Sequence, residues 1–294
     1  MNNLKLIKVA IQGISGAFHE IAARAYFNSK EIEITECDTF KEVVNSVKNG
    51  ISEFGIIAIE NSIVGSILPN YKIIQESKLN ISGEMFIPIQ QNLMALPGQK
   101  LENLTEIYSH PMAIQQCEEF FARYPDIKII ESIDTALSAK KIKVEGITGR
   151  GAIASKLAAS IYGLDIIAER IETNTRNYTR FLIVEEKPAN QSSVVPVHID
   201  KSSICFSLTH ESGSLSNVLS VLAFYNMNLT KIQSMPIIGR EWEYLFHIDL
   251  VFNNYKRYTQ ALIAIEPLTS DMEILGEYHA YDKAKEIFSS KDEN

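Results

Sequence analysis

Three short polar segments carry side chains able to do chemistry together. Glu60-Asn61-Ser62 follows the apolar run Phe54–Ile59. Ser109-His110-Pro111 is followed one helical turn later by Gln115 and Gln116. Asn177-Tyr178-Thr179-Arg180 precedes the apolar run Phe181–Val184. Together they supply a guanidinium that can grip a carboxylate, a hydroxyl that can hydrogen-bond a departing oxygen, and uncharged amides to orient a polar ligand. That set fits a pocket for a small anionic, hydroxylated molecule and needs no strong nucleophile. Each segment also has a structural reading: Asn61 and Ser62 can cap a helix, Gln116 can face solvent, and Thr179-Arg180 can lie at a sheet edge.

Other chemistries find little support. There is no P-loop, HExxH or GxGxxG pattern, and the turn Gly13 to Gly16 alone is a weak phosphate signal. The six histidines, at 19, 110, 198, 210, 247 and 279, show no ligand spacing, so no metal site is expected. Cys37, Cys117 and Cys205 stand far apart, form no CxxC pair, and read as buried thiols of a reducing cytoplasm. The chain has 294 residues and a formal net charge of −8, which argues against a general nucleic-acid binder. No signal peptide and no apolar run of membrane-spanning length is found. A cytoplasmic protein acting on small molecules is the expectation, with neither nucleic acid nor membrane as partner.

The elements that must position these residues read as follows. The chain opens with the short strand Lys8–Ile11, the turn at Gly13, and a helix over Ala17–Phe27. A second strand over Ile32–Glu36, a helix over Thr39–Val47 and the buried strand Phe54–Ile59 follow. Glu84–Leu96 reads as one long strand, Ile107–Pro111 as a strand end, and Met112–Tyr124 as one helix. Ile127–Ile130 reads as a strand, with Asp134 or Thr135 capping a helix over Ala136–Lys143. Gly151–Tyr162 reads as an alanine-rich helix and Leu164–Ala168 as a strand. In open α/β sheets ligands bind at the carboxyl ends of strands, where Glu60-Asn61-Ser62 falls. After the polar stretch around Pro188, the order βαββαβ indicates a ferredoxin-like unit.

At these residues the sequence closely resembles prephenate dehydratases that carry a C-terminal ACT regulatory domain. The resemblance rests on Gly13–Phe18, Ile59-Glu60-Asn61-Ser62 with Gly65, Tyr108-Ser109-His110-Pro111 with Gln115-Gln116-Cys117, Asp134-Thr135-Ala136, and above all Asn177-x-Thr179-Arg180-Phe181. In the C-terminal half it rests on Gly213-Ser214-Leu215, Asn228-Leu229-Thr230-Lys231-Ile232 and Trp242-x-Tyr244-x-Phe246.

The resemblance implies an α/β fold: a two-lobed catalytic domain similar to type II periplasmic binding proteins, plus a βαββαβ ACT domain. The expected boundaries are 1–186 for catalysis (lobes near 1–82 plus 170–186, and 83–169), 187–200 for a linker, 201–286 for regulation and 287–294 for a polar tail. The implied reaction expels the ring hydroxyl of prephenate as the ring carboxylate leaves as carbon dioxide, giving phenylpyruvate for phenylalanine synthesis without a cofactor. Thr179 matches the threonine that hydrogen-bonds the departing hydroxyl, and Arg180 the arginine that clamps a carboxylate. Asn61 and Gln116 complete the implied catalytic group. Ser62, Ser109, His110, Thr135, Asn177, Phe181 and Gly16 match residues around the substrate. L-Phenylalanine is implied as an allosteric effector near Gly213, Ser214, Leu215, Asn228, Leu229 and Ser234, in a homodimer or homotetramer.

The chain departs from the family pattern at Ala17, His19 and Ala58. Gln233-Ser234-Met235-Pro236 stands where the family has a Glu-Ser-Arg-Pro signature. Two other activities compete with the main reading. An arogenate dehydratase would run the same machinery on the aminated substrate. A non-enzymatic amino-acid-sensing binding protein would use the lobes as a clamp, but would have no need of Thr179.

Overall fold

The structure, a computed structural model, describes residues 6–28, 30–187, 198–240 and 242–281. Most of the expected linker and all of the expected polar tail lie outside the described residues. Strands and helices alternate, and the strands form three sheets. No helix among the described residues is long and apolar enough to cross a membrane.

The first sheet has the order Ile32–Cys37, Ile7–Gln12, Phe54–Asn61, Tyr178–Glu185, Asn80–Pro88, with Gly65–Ser66 paired to Phe54–Asn61. Ile7–Gln12 runs parallel to Ile32–Cys37 and to Phe54–Asn61. Val9, Ala10, Ile11, Ile56, Ile57 and Ile59 are wholly buried, as two-sided coverage of a parallel strand requires. Helix Phe40–Lys48 starts at Thr39, whose hydroxyl accepts from the Glu42 amide.

The second sheet has the order Asp165–Ala168, Asn92–Ala95, Arg150–Ala154, Glu106–Ser109, Lys128–Glu131. Its core on one side is built largely of alanine: Ala136, Ala139, Ala152, Ala154, Ala158 and Ala159 pack with Met94 and Ile142. Small side chains let helices Thr135–Glu145 and Lys156–Tyr162 lie close to the strands.

Several elements differ from the sequence expectation. Gly151–Tyr162 is not one helix: Arg150–Ala154 is a strand and Lys156–Tyr162 a helix, with the Ser155 hydroxyl accepting from the Ala158 amide between them. Alanine favours helix intrinsically, but pairing with Asn92–Ala95 and Glu106–Ser109 overrides that preference. Glu84–Leu96 is two strands, Asn80–Pro88 and Asn92–Ala95, which join different sheets. Met112–Tyr124 is two short helices, Pro111–Gln116 and Glu118–Phe121, broken at Cys117. Glu60, Asn61, Thr179 and Arg180 lie within strands rather than beside them.

By contacts the chain divides into two compact units: residues up to Gly65 with Met85–Phe181, and Ser66–Glu84 with the described residues from Leu182 onward. The division falls within strands Asn80–Pro88 and Tyr178–Glu185.

The second unit contains a four-stranded sheet, ordered Asn228–Pro236, Tyr244–Val251, Lys201–Ser207, Ser270–Tyr278, with every neighbour antiparallel. With helices Ser214–Phe224 and Tyr255–Ile265 this is the expected βαββαβ arrangement. Ile204, Phe206, Ile248 and Leu250 share a core with Val218, Leu222, Tyr258 and Leu262 from the helices. Strand alternation sends Lys201, Ser203, Cys205, His247 and Asp249 to the opposite face. Segment Ser66–Glu84 meets that polar set. Lys201 Nζ donates to both Glu84 oxygens at 2.9 and 2.8 Å, Lys231 Nζ donates to Ser66 Oγ at 2.7 Å, and the Tyr71 and His247 rings lie 5.3 Å apart. A Cβ on Gly276 would run into the Ile81 carbonyl, so the two backbones meet where no side chain intervenes.

Candidate active site

The residues singled out in the sequence fall mostly in the first unit. Asn61 ends strand Phe54–Asn61 and is 9% exposed. Its Oδ1 accepts from the Ile63 and Val64 amides at 2.9 and 3.1 Å, turning the chain at the strand end. This leaves Nδ2 as donor, and it reaches Asn177 Oδ1 at 2.7 Å and Thr179 Oγ1 at 3.0 Å. Ser62 fastens the same two strands: its amide donates to the Tyr178 carbonyl, its hydroxyl donates to the Arg176 carbonyl, and it accepts from the Tyr178 amide. Residues 116 positions apart in sequence are thereby locked together by a small group of hydrogen bonds. Thr179 Oγ1 accepts from Asn61, so its own proton is directed away from that amide, ready for an acceptor elsewhere.

Arg180 is adjacent to Thr179 in an extended strand, so the two side chains leave on opposite faces. Arg180 is 5% exposed, with its guanidinium carbon 5.9 Å from the Phe86 ring centroid. Phe181 is buried and meets the His19 ring edge-on at 5.0 Å. Burial holds the His19 imidazole neutral by lowering its pKa to about 4. His19 thus packs as an aromatic, against Phe181 and Phe40.

Around the second sheet, Ser109 has no exposed surface and donates its hydroxyl to the Ile153 carbonyl at 2.7 Å, tying neighbouring strands. His110 caps helix Pro111–Gln116, its Nδ1 accepting from the Met112 amide at 3.2 Å. Gln116 closes that helix and lines a cavity of about 710 Å³ with Met112, Gln115, Ile63, Val64 and Thr173. Two exposed carboxylates, Glu118 and Glu119, lie on the same lining.

Thr135 opens helix Thr135–Glu145, which Asp134 caps by accepting from the Leu137 amide at 2.8 Å. Burial raises the Asp134 carboxyl above the usual range, against the opposing pull of the helix amides and His110. Gly16 has φ +95°, a Cβ there would lie 2.8 Å from Ala158 Cα, and its carbonyl accepts from Ser155 Oγ at 2.6 Å. Its amide donates to Glu20 Oε2 at 2.6 Å, so both backbone groups are engaged within the protein. The structure therefore brings Asn61, Asn177 and Thr179 into direct hydrogen-bonded contact and ties Ser62 to Arg176 and Tyr178 beside them, while Ser109 and Gly16 are committed to internal packing.

Two residues escaped the sequence reading. Gln91 is 2% exposed and donates from Nε2 to Gln116 Oε1 at 3.2 Å. Glu172 is 5% exposed and accepts from the Gln91 amide at 2.9 Å. The polar run Gln90-Gln91-Asn92, set between two apolar strands, was the available signal; reading 84–96 as one strand hid it.

In the second unit, Gly213 stands at φ +88° before helix Ser214–Phe224, and Ser214 Oγ donates to the Glu211 carbonyl. Leu215 and Leu229 pack on the core, and Asn228, Leu229 and Ser234 lie on one strand.

The prephenate dehydratase family model matches residues 9–189. A bifunctional chorismate mutase/prephenate dehydratase of Buchnera aphidicola is 35% identical over 94% of this chain and 72% of that protein. Arogenate dehydratase 1 of Petunia hybrida is 36% identical over 92% of this chain and 66% of that protein. Among solved structures, prephenate dehydratase from Arthrobacter aurescens in complex with L-Phe is 25% identical with TM-score 0.83, over 97% of each chain. A protein described as a quorum-quenching acylase, GqqA, is 28% identical with TM-score 0.84, over 93% of this chain and 98% of that one. On the family match and these relatives, the chain belongs to the prephenate dehydratase family.

Proposed function

We propose that the chain is a lyase that converts prephenate to phenylpyruvate, the step that commits the ring to phenylalanine. The observation that carries the reading is the Asn61–Thr179 hydrogen bond, in which the threonine oxygen is the acceptor. As the ring C–O bond breaks, its electron pair goes to the departing hydroxyl, which takes one proton from solvent to leave as water, and Thr179 O–H hydrogen-bonds that oxygen. The ring carboxylate leaves as carbon dioxide, its C–C bond pair entering the ring to complete the aromatic system. A threonine is a weak acid, so its part is a preorganised hydrogen bond to developing charge. Asn177, Ser62 and Gln116 orient the substrate beside Thr179, while Arg180, which leaves the strand on the opposite face, adds positive charge from behind that strand rather than gripping the group that Thr179 serves. His110, Thr135 and Phe181 belong to the walls.

The plant relatives favour a second reading, arogenate as substrate. The two substrates differ only in a side-chain amine against a ketone, so parallel assays decide between them. The test is phenylpyruvate formation from prephenate, with carbon dioxide release, beside phenylalanine formation from arogenate. Turnover of neither would return the chain to the class of binding proteins.

The reading extends to regulation. The sheet order of the C-terminal unit supports an ACT domain over 201–286, joined by a linker at 187–200 to a catalytic domain over 1–186. The complex of the Arthrobacter relative with L-Phe supports phenylalanine as the effector, bound near Gly213, Ser214, Leu215, Asn228, Leu229 and Ser234. Pairing of ACT domains gives a homodimer or homotetramer, and three free buried thiols suit the cytoplasm. Inhibition should appear at micromolar to millimolar L-phenylalanine, and activity unmoved by saturating phenylalanine would remove the effector from the proposal.

A further inference from the structure

We propose that Gln91 is the positioning residue for Gln116, fixing the direction in which the Gln116 amide faces the cavity. The inference rests on the reading of Gln116 as a residue that contacts substrate.

Gln91 sits between strands Asn80–Pro88 and Asn92–Ala95, and its backbone is held at both ends. Its amide donates to Glu172 Oε2 at 2.9 Å, and its carbonyl accepts from the Ile171 amide at 2.8 Å. Gln116 is tied to the same strap, since its carbonyl accepts from the Thr173 amide at 2.8 Å. Residues Ile171–Thr173 thus set the spacing between the two glutamines. With backbones fixed, Gln91 Nε2 reaches Gln116 Oε1 at 3.2 Å.

That bond has a direction with consequences. A glutamine side chain is long and loses much freedom when ordered. With its carbonyl oxygen engaged by Gln91, the Gln116 amide turns its NH2 donors to the remaining side, where Gln116 and Thr173 line the cavity of about 710 Å³. A ligand bearing carboxylates and a hydroxyl offers acceptors, so donors are the useful presentation. Glu118 and Glu119 on the same lining would oppose an anion, which raises the value of a neutral donor held in place. Gln91 touches no reacting atom in this account; it acts through Gln116.

The test is a double-mutant cycle on the full chain with prephenate as substrate. Gln91→Met keeps length and approximate volume but removes the donor. The expected result is a fall in kcat/KM of about tenfold for Gln91→Met, a comparable or larger fall for Gln116→Ala, and no further loss when the two are combined. Independent, multiplying losses would overturn the proposal, as would unchanged kcat/KM in Gln91→Met beside an impaired Gln116→Ala. Full activity in Gln116→Ala would instead remove the reading of Gln116 itself, and the proposal with it. If Gln91→Met does not fold, side-chain amide exchange in the unaltered protein reads the same bond. Gln91 NH2 protons should be strongly protected and Gln116 NH2 protons protected only with prephenate present. A Gln91 amide exchanging as freely as an exposed glutamine would overturn the inference.

Discussion

Asn61 donates through Nδ2 to Thr179 Oγ1 at 3.0 Å, while its own Oδ1 is occupied by two backbone amides. The backbone therefore fixes which end of the Asn61 amide faces Thr179, and that in turn leaves the threonine proton for another acceptor. Thr179→Ala should lower kcat by about 10²–10³-fold with little change in fold, as expected for loss of one preorganised donor. Thr179→Ser should keep much of the rate. Asn61→Asp should also lower kcat, because a carboxylate only accepts and would draw the threonine proton to itself. Steady-state kinetics beside circular dichroism checks all three, and near-normal turnover in Thr179→Ala would sink the assignment.

Gly16 combines a left-handed φ of +95° with Ala158 Cα only 2.8 Å from where a Cβ would stand. Gly16→Ala should destabilise the protein by more than about 2 kcal/mol, from backbone strain and overpacking together. Denaturant unfolding monitored by fluorescence gives the value. Gly50→Ala, also at positive φ but with open space around it, should cost less.

Lys201 and Glu84 form a buried ion pair, with side chains 7% and 1% exposed. Removing one partner strands a charge: Lys201→Met alone should cost about 3–5 kcal/mol. Lys201→Met with Glu84→Leu should recover most of it, less what the Tyr281 amide loses when Glu84 Oε1 is gone. Equal losses in the single and double variants would contradict this account.

His247 is buried and His19 half-buried with its Nε2 out of solvent, and desolvation lowers both imidazoles to a pKa of about 4. Unfolded, each binds a proton near pH 6.5; folded, each resists until about pH 4. In that window the unfolded state holds more protons, so stability is full above about pH 6.5 and falls as pH drops toward 4. The slope is about 1.4 kcal/mol per pH unit for each group. Urea midpoints across pH 4–8 should show the decline, and His19→Phe, set against Phe40 and Phe181, should flatten it.

Much of the fold was legible because its elements carry local signals. Helices at Phe40–Lys48 and Tyr255–Ile265 follow from apolar spacing and side-chain caps at Thr39 and Asn254. The strand Phe54–Asn61 follows from an unbroken apolar run. The order βαββαβ after residue 200 was likewise readable from hydrophobic period alone. Where local preference and pairing disagree, the sequence misled: Arg150–Ala154 is a strand because two neighbouring strands flank it, though its alanines favour helix.

The sequence alone determined the kinds of group available to the site: Asn61, Ser62, Asn177, Thr179 and Arg180, in an order that matches one enzyme family. Only the tertiary structure decided which of them meet. Strand pairing joins Asn61 to Thr179 and Ser62 to Tyr178 across more than a hundred residues, and the pleat sends Arg180 to the other face. It also commits Ser109 and Gly16 to internal bonds and brings Gln91 to Gln116. Residue type is written locally, but the direction of a hydrogen bond depends on what else each partner must satisfy, and that is fixed only when distant strands pack together.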